Sequence, residues 1–240
     1  MLIYINDTMD PTNKYTKMQK DYYDNEGITG NMNIENHMRH NNNPDYWKIL
    51  VSDTLDPSFK EKIGLDFGCG CGRNVMNLIE RFKRLDGVDI SPELIETSKK
   101  NLLALGHGSD KTLFYTCDGV SLSCIDSNTY DFIMSTIVLQ HICVYDIRYN
   151  YLKEFYRILK SGGMVSFQMG YGDGHSNARN YYENYYDATG TNSGCDVKVD
   201  NPEQLIIDLN EIGFVNVQFF ISSSYSDSHN QWIYIKAHKE

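Results

Sequence analysis

The feature that most limits the fold is the run Gly64-Leu65-Asp66-Phe67-Gly68-Cys69-Gly70-Cys71-Gly72-Arg73-Asn74. Its first residues read as a buried β-strand, and Val75, Leu78, Ile79 and Phe82 follow at i, i+3, i+4 and i+7, the spacing of one apolar helix face. Strand, glycine turn and helix therefore come in immediate succession. Glycine at every second position lets the backbone turn tightly and approach a ligand where a Cβ would collide. A small organic ligand is expected at this turn.

The chain around it alternates β-type and helical patterns, the signature of a mostly parallel sheet with crossover helices. Strands are expected at about 63–67, 85–90, 112–117, 130–136 and 163–169. Ser91-Pro92 reads as an N-cap followed by proline in the first turn, opening a helix to about Leu105. Ile147, Tyr151, Phe155, Ile158 and Leu159 mark another, with Ser161-Gly162-Gly163 as its expected stop. A last helix opens at Asp200 or Asn201 before Pro202 and ends at Gly213. The runs Phe214–Ile221 and Gln231–His238 have a link too short for a parallel crossover, so they form an antiparallel pair. The expected fold is α/β, a mostly parallel seven-stranded sheet with one reversed strand. Residues 1–60 form an N-terminal cap, with a clean pattern only at Tyr46–Leu55, and residues 61–240 the main domain. A lid insertion at 171–200 is rich in Gly, Asn and Tyr.

Spacing and charge narrow the ligand. A dinucleotide fingerprint is GxGxxG; here Gly68, Gly70 and Gly72 give GxGxG, which weakens but does not remove a nicotinamide-dinucleotide reading. No Gly-Lys-Ser/Thr follows, so a phosphate P-loop is excluded. Asp66, two residues before the turn, repels an anion but holds an ammonium group. Asp89 lies at the carboxyl end of the second strand, placed to accept hydrogen bonds from both ribose hydroxyls. Cys117-Asp118-Gly119 ends the third strand with an acceptor suited to an exocyclic amine. The ligand implied is a nucleoside carrying an amine and no polyphosphate.

Asp66-x-Gly68-x-Gly70-x-Gly72, Asp89, Asp118, the run Tyr130–Ser135 and Leu159-Lys160-Ser161-Gly162-Gly163, in that order, resemble the class I S-adenosylmethionine-dependent methyltransferases over residues 62–170. The resemblance implies S-adenosyl-L-methionine as cofactor and S-adenosyl-L-homocysteine as product. It implies that Asp66 and the backbone of Gly68, Cys69, Gly70 and Gly72 hold the methionine part, Asp89 the ribose, and Asp118 and Gly119 the adenine, with Ile90 a further cofactor contact. Ser135 then lies beneath the sulfonium, and Gln140 is a further cofactor contact.

Methyl transfer is an in-line displacement, so a base is needed only where the acceptor must lose a proton. His141, in Val138-Leu139-Gln140-His141 after the fourth strand, is the candidate base, because imidazole exchanges protons near neutral pH. The alternative is a histidine packed at a helix start. No Asn/Asp-Pro-Pro-Tyr/Phe or Pro-Cys motif is present, and the fourth strand ends in Ser135-Thr136 rather than an acid. A metal-independent enzyme with a small-molecule acceptor, methylated on N or O, is therefore expected. Tyr22, Trp47, Tyr181 and Tyr185 are the candidate acceptor contacts, able to enclose a cationic amine with ring faces; the alternative is that they pack the cap against the core. Two rival functions are an NAD-type oxidoreductase and a non-catalytic S-adenosylmethionine-binding subunit.

Charge and cysteine usage complete the reading. With 22 Lys and Arg against 32 Asp and Glu, the net charge is -10, which disfavours nucleic acid as partner. The six cysteines include no CxxC pair and read as free thiols. No apolar run is long enough to span a membrane and Met1–Ile5 is too short for a signal peptide, so the expected location is the cytoplasm.

Overall fold

A computed structural model describes residues 10–29, 57–107, 111–172, 178–186, 196–223 and 231–240. The sheet is formed by β1 (Ile63–Phe67), β2 (Arg84–Asp89), β3 (Phe114–Thr116), β4 (Tyr130–Ser135), β5 (Leu159–Tyr171), β6 (Ala178–Asn180), β7 (Asp196–Val199), β8 (Phe214–Ser223) and β9 (Gln231–Lys239). The helices are α1 (Pro11–Thr29), α2 (Arg73–Leu78), α3 (Pro92–Ala104), α4 (Tyr145–Ile158) and α5 (Pro202–Ile212). Strand order runs β3-β2-β1-β4-β5, and β9 then β8 complete the far side of β5. In this seven-stranded core β9 alone is reversed, antiparallel to both β5 and β8, as the short β8–β9 link requires.

The order puts the carboxyl ends of β1, β2 and β4 side by side, with the chain leaving β1 toward β2 on one side and β4 on the other. Open α/β sheets bind ligands at such a switch point. Alternation along each strand fills both faces. Phe132 and Met134 join Val75, Leu78, Phe82 and Ile95 on the side of α2 and α3, whereas Ile133 joins Phe67, Tyr151 and Phe155 on the side of α4. Burying one such aromatic or aliphatic side chain contributes about 1.5–3 kcal/mol.

Local signals set most helix ends. Ser91 Oγ accepts from Leu94 N at 3.1 Å ahead of Pro92, and Asn201 accepts from Glu203 N ahead of Pro202. Gly213 ends α5 at φ 114°. Elsewhere the structure corrects the sequence reading. The helix expected to stop at Ser161-Gly162-Gly163 stops at Ile158, and β5 begins directly with Leu159 opposite Tyr130. The glycines instead serve a register shift between Tyr130 and Phe132, where Gly162 takes φ 75° and a Cβ on Gly163 would lie 2.8 Å from the Lys160 carbonyl oxygen.

The N-terminal segment also departs from expectation. Residues 11–29 form the 19-residue helix α1, opened by Asp10, whose Oδ1 accepts from Thr12 N at 3.0 Å, and by Pro11. The pattern expected at Tyr46–Leu55, and Trp47 within it, lies outside the described residues. The insertion after β5 is no plain loop in its described part. There β7 pairs with β5 at Gly170 and Tyr171, and β6 pairs with β7. Among the described residues no helix is long and apolar enough to cross a membrane.

Candidate active site

The glycine turn is built by its neighbours as well as by its own sequence. Gly68 N and Cys69 N both donate to Val88 O, at 2.8 and 3.0 Å, which folds the end of β1 over the end of β2. Gly68 has φ 71°, and a Cβ there would sit 2.4 Å from Val138 Cγ2, so only glycine fits between the turn and the segment after β4. From α3, Ser98 Oγ donates to Gly70 O at 2.7 Å and Asn101 Nδ2 to Cys71 O at 3.1 Å. Asn74 of α2 donates to Asp66 Oδ1 at 3.1 Å and to Thr136 Oγ1 at 2.9 Å, tying the tips of β1 and β4 together. The sequence reading missed Asn74, Ser98, Asn101 and Thr136, since nothing in their spacing distinguishes them from ordinary polar helix and turn residues.

Asp89 has one oxygen on Gly70 N at 2.9 Å and the other on Ser91 N at 3.0 Å. A carboxylate oxygen has two lone pairs, so each retains capacity for a hydroxyl. Burial raises the Asp89 pKa, opposed by these N–H donors and reinforced by the charge of Asp24. Asp24 belongs to α1 and reaches Ser91 Oγ at 2.6 Å, which brings the N-terminal helix to the rim of this site. Beside it, a Cβ on Gly119 (φ 87°) would meet Ile90 Cδ1 at 2.8 Å and Thr16 at 3.2 Å. Ile90, Gly119 and α1 thus form one wall. Asp118 is exposed, and its carboxylate accepts from Val120 N, Ser121 N and Ser121 Oγ at 2.6–2.9 Å.

Asp66 is fully buried, and burial pushes its carboxyl up to about 7 despite Asn74 and Arg73. Among the described residues its Oδ2 has no hydrogen-bond partner, and neither do Ser135 Oγ nor either amide atom of Gln140. A buried polar atom left without a partner costs about 1–3 kcal/mol. Asp66, Ser135 and Gln140 stand at or just past the carboxyl ends of β1 and β4, so the orphaned groups lie along the ligand-binding edge. An acidic acceptor, a hydroxyl and an amide fit the ammonium, carboxylate and sulfonium environment of S-adenosylmethionine. The thiols in the region are inert, with burial pushing Cys117 up to about 12.

Facing this edge is a second assembly centred on His141, which ends a short 3₁₀ turn, Leu139–His141. Its Nδ1 lies 2.6 Å from Asp196 Oδ1 of β7. Its carbonyl oxygen accepts from Tyr15 of α1 at 3.0 Å, and the same hydroxyl accepts from Cys143 N at 2.6 Å. Tyr23, two helical turns beyond Tyr15 on α1, has its hydroxyl pushed far up by burial and by the charges of Asp89 and Asp196. Tyr22 is half-buried and rests edge-on against Tyr23, ring centroids 5.1 Å apart.

The insertion is stitched to the same turn. Tyr185 N donates to Cys143 O at 2.9 Å, Tyr145 N to Glu183 O at 3.3 Å, and the Arg148 guanidinium to the carbonyls of Ile142 and Tyr181. Tyr181 is 2% exposed, with its hydroxyl on Asp208 at 3.0 Å and Arg148 over its ring at 5.3 Å. It anchors the insertion. Tyr185 is half-buried with Arg179 over its ring at 4.5 Å. Tyr15, Asp24 and Asp196 escaped the sequence reading; the one available signal was Asp10-Pro11 followed by Tyr15-x3-Gln19-x3-Tyr23, a helix start with a face of matched spacing.

Comparison with known proteins agrees with this fold. A curated archaeal relative, described as a probable cobalt-precorrin-6B C(15)-methyltransferase (decarboxylating) of Methanothermobacter thermautotrophicus, is 33% identical over 66 residues, which is 28% of this chain and 34% of that protein. Phosphoethanolamine N-methyltransferase 2 of Haemonchus contortus, solved with phosphomonomethylethanolamine and S-adenosylhomocysteine, superposes with a TM-score of 0.64 at 15% identity, covering 95% of this chain and 60% of that one. A methyltransferase of Methanosarcina mazei gives 0.59 at 17% identity, covering 75% and 93%. The chain thus spans 34% and 60% of the length of the first two, less than two thirds of each. Residues 65–167 match the family described as methyltransferase domain, and these residues carry an S-adenosylmethionine-dependent methyltransferase domain of the class I fold.

Proposed function

We propose that this protein transfers a methyl group from S-adenosylmethionine to a nitrogen or oxygen of a small-molecule acceptor, with His141 as general base and no metal. The observation that carries the reading is the position of His141, held by Tyr15 and Asp196 beside the edge where Asp66, Ser135 and Gln140 leave buried polar atoms unpartnered. In this reading Asp66 and the turn from Gly68 through Cys69 and Gly70 to Gly72 hold the methionine part, and Asp89 the ribose. Ile90, Asp118 and Gly119 surround the adenine, and Ser135 and Gln140 lie near the sulfur.

Bound S-adenosylmethionine supplies an electrophilic methyl group for in-line displacement. The chain's own part is alignment, exclusion of water and movement of one proton. His141 accepts that proton from the acceptor's N–H or O–H and returns it to solvent. Helix α1 and the described insertion cover the two sides from which water would enter. Tyr22 and Tyr185 supply ring faces to the acceptor, and Tyr181 fixes the segment that carries Tyr185.

An amine is the favoured acceptor. The net charge of -10 draws a cation toward the site, and the nematode relative was solved with a phosphorylated amine. The test is to incubate the protein with methyl-labelled S-adenosylmethionine and fractionated amine and hydroxyl metabolites, following label transfer and a mass gain of one methyl. Transfer to amines that His141→Gln abolishes supports the proposal. Label transfer to no fraction, with S-adenosylhomocysteine still bound, points to the binding-subunit alternative.

A further inference from the structure

We propose that Asp196, carried by the insertion after β5, is the positioning residue of the His141 base, so that the base is complete only when the insertion is docked. The inference rests on the proposed role of His141 and adds the residue that sets which of its nitrogens faces the acceptor.

The argument starts from hydrogen-bond chemistry. A carboxylate oxygen only accepts, so a separation of 2.6 Å between Asp196 Oδ1 and His141 Nδ1 assigns the hydrogen to Nδ1. A neutral imidazole protonated on Nδ1 has its lone pair on Nε2. The pair is shielded, with side chains 26% and 20% exposed, so water competes weakly for either partner. The rest of the histidine is fixed too: its N–H donates to Val138 O at 2.9 Å and its carbonyl oxygen accepts from Tyr15. A histidine that merely fills space at a helix start needs none of these three constraints.

The topology gives the pairing a consequence. β7 pairs with β5 at Gly170 and Tyr171, past the point where Ser135 at the end of β4 pairs with Phe167. The insertion strand therefore occupies the edge position directly beyond the tip of β4, and its first residue, Asp196, meets the turn that leaves that tip. His141 and Asp196 are 55 positions apart in the chain, so their contact exists only in the docked arrangement. During transfer the acceptor's proton moves to Nε2 as the methyl forms its new bond and the sulfur keeps the electron pair of the bond that breaks. Asp196 then faces the imidazolium without itself taking the proton.

The experiment reads the tautomer directly. Protein labelled with ¹⁵N-histidine, saturated with S-adenosylhomocysteine in alkaline buffer, is recorded by long-range ¹H–¹⁵N correlation, with His141 assigned by loss of its signals in His141→Gln. The expected spectrum of the unaltered protein has the proton on Nδ1. In Asp196→Ala the ratio of Nδ1-H to Nε2-H falls more than about tenfold, as loss of a charge-assisted hydrogen bond dictates, and Asp196→Glu restores it. Affinity for S-adenosylhomocysteine by calorimetry stays within about twofold in both variants, because Asp196 lies outside the cofactor contacts. A proton on Nε2 in the unaltered protein overturns the proposal, as does a ratio unmoved by Asp196→Ala. If that variant does not fold, the unaltered protein and Asp196→Glu decide the matter. Failure of the base reading looks different: His141→Gln would transfer methyl at full rate while the tautomer still reported the pair.

Discussion

The two halves of this site are built in opposite ways. The cofactor half is local: Asp66 through Asn74 form one strand, turn and helix start, and Asp89 and Ser91 follow a single strand later. The proposed acceptor half is assembled from pieces far apart in the chain, with Tyr15, His141 and Asp196 each on a separate segment and 126 and 55 positions between contacting partners. The first is specified mainly by turn chemistry within one stretch of chain. The second exists only through tertiary docking, which leaves it free to differ between relatives that share the turn. This division lets one fold present a constant methyl donor to many acceptors.

The sharpest way to break the comparison is to damage one half and look for an effect in the other. His141→Gln is expected to lower the rate of methyl transfer by about 10² to 10⁴-fold, the usual contribution of a positioned base. Calorimetry should show S-adenosylhomocysteine bound as before. Asp89→Ala is expected to do the reverse, weakening S-adenosylhomocysteine by about 1.5–3 kcal/mol while ¹⁵N shifts of the His141 ring stay in place. Comparable losses of affinity in both variants would show that the two halves do not work independently.

The same contrast explains what the amino-acid sequence disclosed. The strands of the core and the ends of α3 and α5 were legible because each is written in neighbouring residues, such as Ser91-Pro92 or Gly213. Asp66, Asp89 and the glycines could be placed for the same reason. Helix α1 was missed because its buried face consists of Tyr15 and Gln19, leaving almost no apolar periodicity to read. The end of α4 was misplaced because Gly162-Gly163 has the composition of a helix stop, while strand pairing at Leu159 decides the matter earlier. His141 was legible as a candidate, but Asp196 was not, since no spacing rule connects a turn after β4 with a strand 55 positions on.

A smaller effect sharpens the role of the tyrosines. Asp208 is buried, and burial raises its pKa although the hydroxyls of Tyr145, Tyr181 and Tyr182 all lie within 3.0–3.2 Å of its oxygens. Tyr181→Phe removes one of these donors without changing ring packing, and is expected to destabilise the fold by about 1–2 kcal/mol in urea unfolding. Acceptor affinity should be unaffected. Tyr185→Ala is the counterpart, expected to weaken an amine acceptor by about 0.5–1 kcal/mol with little change in stability. An acceptor affinity that falls in Tyr181→Phe rather than in Tyr185→Ala would exchange the roles of anchor and contact.

The smallest expected effect is a proton. In the folded protein without ligand, Asp66 is raised from the usual carboxylate range to about 7 because burial penalises its charged form. Folding is therefore favoured most below the unfolded carboxyl's pKa, and that contribution is lost as pH rises through about 7. In the proposed reading a ligand ammonium beside Oδ2 reverses the preference, so Asp66 is expected to give up its proton when S-adenosylhomocysteine binds. At pH near 7 half of the molecules carry that proton, so binding releases about half a proton and affinity changes by about 0.7 kcal/mol per pH unit. The dependence steepens toward one decade per unit on the acid side and levels off above the titration. Calorimetry in buffers of different ionisation enthalpy measures the release, and Asp66→Asn should abolish it. A release that persists in Asp66→Asn would move the proton to another group and separate the buried carboxyl from the methionine end of the ligand.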